Sequence, residues 1–235
     1  MGVALDTDEL WQIVDRERAS LADLLEGLSP GEWDTPTRCG DWRVRDVAAH
    51  LTMGARFTYR RVLREFVRAR GNLDRMIHDA SVREGQAPVE EIVANLRSIV
   101  GCRRMAPVTT PRESLLDVLV HGQDIALALG RTREMRPEAA RDAADRVWTM
   151  RMPPRPWPLP HVRLVATDIE WSRGQGEDVR GPIAALLLLL TGREEAAREW
   201  FERAGAREAE EPPRSTAQCR PGCEPLMARR TTAHG

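Results

Sequence analysis

The chain has 235 residues, 42% of them hydrophobic and 30% charged, enough for a well-packed core and too apolar for a largely disordered protein. A formal net charge of -1 argues against general electrostatic attraction to nucleic acid or to an anionic membrane. All 35 basic residues are arginine, so no lysine is present to form a Schiff base.

Residues 6–28 read as a first helix, with Thr7 or Asp8 as N-cap and Leu10, Val14, Leu21, Leu24, Leu25 and Leu28 facing inward. Ser29, Pro30 and Gly31 break it, and the turn-rich EWDTPTRCGDW leads, with Asp41 as N-cap, into a second helix over 42–69. His50 shares the inward stripe of that helix with Val47, Ala48 and Leu51. Asp46, one turn earlier, reads as a residue favoured by the helix dipole or as one that orients the imidazole. Residues 70–87 have weak periodicity and are expected to form a loop with at most a short helix. Pro88 opens a third helix over 89–102, and Pro111 opens a fourth that Gly130 ends. A further helix is expected over 137–150. Long helices joined by modest loops predict an up-and-down four-helix bundle over residues 1–151.

The fourth helix carries the chain's chemistry. Asp117 and His121 are four residues apart, on one helical face, where a carboxylate and an imidazole can close on the same cation. His50 offers a third donor from another inward stripe. The alternative is ordinary structure: core histidines satisfied by hydrogen bonds, and Asp117 paired with Arg112. Asp124 is placed to orient His121 or to pair with an arginine, and Gln123 points away from the trio.

The proline-rich MPPRPWPLP from Met152 is expected to be a linker. Beyond it, VRLVA at 162–166 reads as a strand. A second extended piece precedes Gly181, and helices follow over 183–190 and 194–203, together a small α+β domain over 155–210. Residues 211–235 are polar, proline-bearing and aperiodic, as disordered tails are; Cys219, Cys223 and His234 there lack the regular spacing of a metal motif. No secretory signal or span of about 20 apolar residues is found, so a cytoplasmic location, without a membrane or nucleic-acid partner, is expected, and the four cysteines are read as thiols.

Three segments in order, GEWDTPTRCGDWRVRDVAAHL, SLLDVLVHGQDIALALG and DVRGPIAALLLLLTGR, resemble the mycothiol-dependent maleylpyruvate isomerase family from about Leu10 to Arg207. The resemblance implies a DinB-like bundle holding a divalent metal, usually zinc, on His50, Asp117 and His121. Asp117 departs from the glutamate that described isomerases carry there. It also implies mycothiol as thiol cosubstrate, bound as a thiolate that adds to an anionic or electrophilic small substrate, either for cis-trans isomerisation or for S-transfer. Arg193, in the TGR segment, is the expected catalytic residue, gripping substrate carboxylates. Cys39, in the turn before the His50 helix, is close enough in sequence to approach the site as a nucleophile, but it has no histidine partner nearby in sequence, and the resemblance implies an external thiol instead. Rival readings are a metal-dependent hydrolase needing no thiol, with Asp124 as general base, and a non-catalytic metal- or ligand-binding module. Oligomeric state is not readable.

Overall fold

The computed structural model describes residues 5–106, 109–150 and 161–210, with side chains up to residue 202. Four helices close a ring: α1 (Thr7–Glu26), α3 (Val44–Arg56), α6 (Val89–Ser98) and α7 (Pro111–Ala128), each packed on the next around a common interior. The chain is mainly α, with this bundle followed by a small α+β region, as expected. α2 (Pro30–Trp33) is a single turn on the way to α3. α8 (Pro137–Thr149) packs outside the ring on α7.

The first helix lies within the expected 6–28, but its cap is one residue before Thr7, the earlier of the two expected caps. Asp6 is its cap, accepting from Glu9 N at 2.8 Å while Glu9 accepts from Asp6 N at 3.1 Å, a reciprocal pair that satisfies two otherwise orphaned donors. The long helix expected over 42–69 is two helices. α3 stops at Phe57, whose backbone is extended, and Thr58 starts α4 (Tyr59–Arg68) by capping Arg61 N. Asp41 is not the cap of α3 either; Arg43 holds that position, and Asp46 turns back to accept from its backbone N at 2.9 Å and its Nε at 3.0 Å. Asp46 therefore serves the helix start and leaves the orientation of His50 to another group.

The loop expected over 70–87 contains a full helix, α5 (Leu73–Glu84), capped by Asn72 and packed on α3. Only Met76, Ala80 and Ser81 of it are buried, so its apolar stripe is narrow and built partly of small residues, which explains the weak periodicity.

After α8, β1 (Val162–Ala166) pairs antiparallel with β2 (Ser172–Gly174) and parallel with β3 (Glu177–Gly181), in the order β2-β1-β3. β2 is a third strand, beyond the two extended pieces expected from the sequence. α9 (Ile183–Leu190) is buried at every position, as an all-apolar helix must be, between α8, α10 (Glu194–Glu210) and β1. Its leucines share one core with Leu10 and Val14 of α1, Leu115 and Leu119 of α7, and Ala143 of α8. The expected linker at 152–160 and the tail with Cys219, Cys223 and His234 lie outside the described residues. No described helix is long and apolar enough to cross a membrane.

Candidate metal centre

α3 and α7 are adjacent in the ring, and this brings His50 to Asp117 and His121. One donor atom from each of the three lies within 4.8 Å of the others, and the two imidazoles meet edge to face with centroids 4.9 Å apart. The indole of Trp42, at the end of the turn before α3, walls them in, 5.0 Å from His50 and 6.2 Å from His121 between centroids.

Each histidine is held from behind. His50 Nδ1 is 3.3 Å from Ser81 Oγ, and that hydroxyl spends its single proton on Ile77 O at 2.8 Å. The serine is thus left as acceptor, so Nδ1 carries the proton of His50 and Nε2 keeps its lone pair free. Burial, helped by the charge of His121, drives the His50 pKa down to about 3, so the ring is neutral, the form that ligates. His121 Nδ1 donates to Asp124 Oδ2 at 2.9 Å, which leaves Nε2 as its outward donor. Burial opposes charge on His121, but the hydrogen bonds to Asp124 and Cys39 and the charges of Asp124 and Asp117 outweigh it and raise the pKa to about 9. A cation arriving at Nε2 would displace that proton.

Asp124 is almost fully buried, 1% exposed, and needs more than one partner. Arg193 supplies it, Nη2 at 2.9 Å and Nε at 3.3 Å, with Nη1 on Thr191 O at 2.6 Å. Burial alone would raise the Asp124 pKa; His121 and Arg193 reverse this and lower it. Arg193 reaches α7 because α9 ends in a paired turn, Gly192 N on Leu189 O at 3.1 Å and Arg193 N on Leu188 O at 2.8 Å, with Gly192 at φ 78°. That left-handed backbone is what glycine permits, and it throws the arginine back across the bundle.

Asp117 stands apart from this network. Arg112 bonds to Asp142 instead, at 2.7 Å, and Asp117 has no ion pair among the described residues. Asp117 is exposed to solvent beside a cavity it lines. The protein packed around it raises its pKa by lost hydration, against the opposing pull of His121. Two neutral-capable nitrogens and a carboxylate short of a counter-charge suit a divalent cation such as zinc, whose N and O ligands sit about 2.0–2.2 Å from the ion. Three protein donors on an accessible cleft also leave a position open, as catalytic sites require.

The structure also brings Cys39 to His121 and Arg193. Thr37 accepts from Cys39 N at 3.2 Å and donates to Trp42 O at 2.8 Å, a turn that aims Cys39 at α7. Its Sγ lies 4.0 Å from His121 Nδ1 and 3.8 Å from Arg193 Nη2, and Cys39, His121 and Asp124 form a second set of clustered donors. The histidine is 82 positions away in sequence, so no local pattern reports the contact. Gln123 does point away, to Arg133 O at 2.7 Å.

Residues 14–101 match the family model described as the mycothiol maleylpyruvate isomerase N-terminal domain, a stretch that includes His50 and stops short of Asp117 and His121. Similar solved structures are the mycothiol-dependent maleylpyruvate isomerase and a mutant of it with a histidine replaced by alanine. Each is 12% identical, with a TM-score of 0.55, over 80% of this chain and 90% of that one. None of the curated proteins matches in sequence. The resemblance to the mycothiol-dependent maleylpyruvate isomerase family is thereby borne out: residues 14–101 match the model of that family's N-terminal domain, and the fold of the chain is similar to that of the solved isomerase.

Proposed function

We propose that this protein is a metal-dependent enzyme of the maleylpyruvate isomerase type, using mycothiol as thiol cosubstrate, with His50, Asp117 and His121 as the ligands of a divalent cation of the zinc kind. The observation that carries this reading is the convergence of their donors, within 4.8 Å, around a carboxylate with no cationic partner among the described residues. A bound cation of this kind supplies Lewis acidity, lowering the pKa of a thiol or water in its open position. The chain's own residues do the positioning. Ser81 fixes the His50 tautomer and Asp124 fixes that of His121; Arg193, expected from the sequence to grip a substrate carboxylate, acts in this reading through Asp124 instead, since each of its three nitrogens is engaged inside the protein. Trp42 covers the imidazoles on one side and limits the approach of water.

The test is metal content and turnover on the same preparations. Protein purified without added metal is expected to hold close to one equivalent, and Asp117→Ala and His121→Ala to lose it. Conversion of maleylpyruvate, or conjugation of an electrophile if the protein is an S-transferase, is expected only with the thiol added. Equal metal in wild type and variants, or thiol-independent hydrolysis, would overturn the reading.

A further inference from the structure

Arg18, on α1, is only 5% exposed and lines the same cavity as Asp117. Its Nη1 donates to Ile99 O at 2.8 Å and Cys102 O at 3.3 Å, closing the end of α6. No carboxylate among the described residues lies within ion-pair distance of it; Asp15 and Asp117 act on it only as charges at longer range. Two other arginines with little exposure, Arg133 and Arg193, are treated differently. Arg133 is paired with Glu17 at 2.6 Å and Arg193 with Asp124 at 2.9 Å. A buried guanidinium with no counter-ion is costly to keep, and two carbonyls occupy only one of its nitrogens.

The cavity measures about 50 Å³ and is also lined by Gly54, Arg104, Glu113 and Ser114. About 10–15 Å³ of such space holds one water molecule, so the cavity takes a few waters or the head group of a ligand rather than a whole one. Its acidic members are already committed. Glu113 bonds to Thr110 and Arg146, and Asp117 is a ligand in the reading above. What remains is positive, from Arg18 and from Arg104 at the mouth.

We propose that this cavity is an anion subsite in which Arg18 receives a carboxylate of a small substrate and so sets the substrate's reacting carbon beside the His50, Asp117 and His121 centre. The inference rests on that centre being the reaction site. A planar guanidinium matches a carboxylate better than a point charge would, and the enclosed setting strengthens the pairing.

Calorimetric titration of the full, metal-loaded chain with succinate and with its neutral diamide tests this. Wild type is expected to bind succinate at least about tenfold more tightly than the diamide, the weight of hydrogen bonds to a charged group. Arg18→Met is expected to lose that margin with unchanged metal content and unchanged diamide binding, and Arg18→Lys to keep part of it. Because Arg18→Met also removes the bonds to Ile99 and Cys102, Ser114→Asp provides a second route: it adds a negative charge to the cavity wall, leaves those bonds in place, and is expected to weaken succinate by a similar factor. No preference for succinate in wild type overturns the proposal. So does wild-type succinate affinity in a folded Arg18→Met or, if that variant does not fold, in Ser114→Asp. Metal content and thiol-dependent turnover are read separately, so loss of the subsite leaves the metal reading standing, and loss of metal with Arg18-dependent succinate binding does the reverse.

Discussion

Ser81 and Asp124 never need to touch a bound ion to govern it, because each decides which nitrogen of a histidine faces inward. Replacing Asp124 with Asn keeps the shape and removes the charge that holds both His121 and Arg193. The expected result is a loss of metal affinity of about 10–100-fold with the fold intact, read by competition against a chromophoric chelator; unchanged affinity would detach Asp124 from the centre. The residue scale is also where the sequence was most and least informative. The four-residue spacing of Asp117 and His121 is a helical fact visible in one dimension. The contact of Cys39 with His121 and Arg193 depends on a turn, a helix end and a bundle closing together, so nothing near Cys39 in the chain announces it.

Among the elements, α5 supports α3 and hence His50. Gly85, its cap, lies so close to Asp46 that an added Cβ would overlap the carboxylate of the α3 capping pair. Gly85→Ala is expected to cost about 1–3 kcal/mol by forcing that pair apart, measured by denaturant unfolding. On the outer side, His78 of α5 sits 2.8 Å from Asp41 and 3.1 Å from Asp79. Hydrogen bonds to Asp79 and then Asp41 raise its pKa above 6.5, and the same bonds lower both carboxyl pKa values below 3.8. The contribution of a raised histidine is complete below its unfolded pKa and disappears as pH climbs through the folded one; that of the carboxylates disappears as pH falls through theirs. The difference in melting temperature between wild type and His78→Gln is therefore expected to be greatest between pH 3.8 and 6.5 and to vanish in alkaline buffer. A difference that persists at high pH would assign His78 a packing role. The α3 and α5 boundaries escaped a reading of periodicity for one reason: Thr58 and Asn72 are caps whose effect is local, while the apolar pattern runs on past the first and is too thin to see after the second.

For the molecule as a whole, the long apolar run of α9 is the joint. Leu187 is fully buried in a core that also contains α1, α7, α8 and Leu164 of β1. Leu187→Ala is expected to destabilise the protein by about 2–5 kcal/mol and to shift the bundle and the sheet region together, as followed by far-UV circular dichroism and tryptophan emission. Two separated transitions would show that the shared core does not couple them. The bundle was legible because four helices with caps and periodic faces admit few packings, whereas the placement of the sheet region was not, since it depends on how that core closes.

The central claim is that one divalent ion is held by nitrogen from His50 and His121 and oxygen from Asp117. X-ray absorption at the metal edge of the zinc-loaded protein, without added thiol, tests it most directly. Nitrogen and oxygen neighbours are expected at about 2.0–2.2 Å, with two imidazole signatures and no sulfur, and this pattern is expected to be lost in Asp117→Ala. A sulfur neighbour at about 2.3 Å that disappears in Cys39→Ala would instead place the ion on Cys39, His121 and Asp124, and would contradict it.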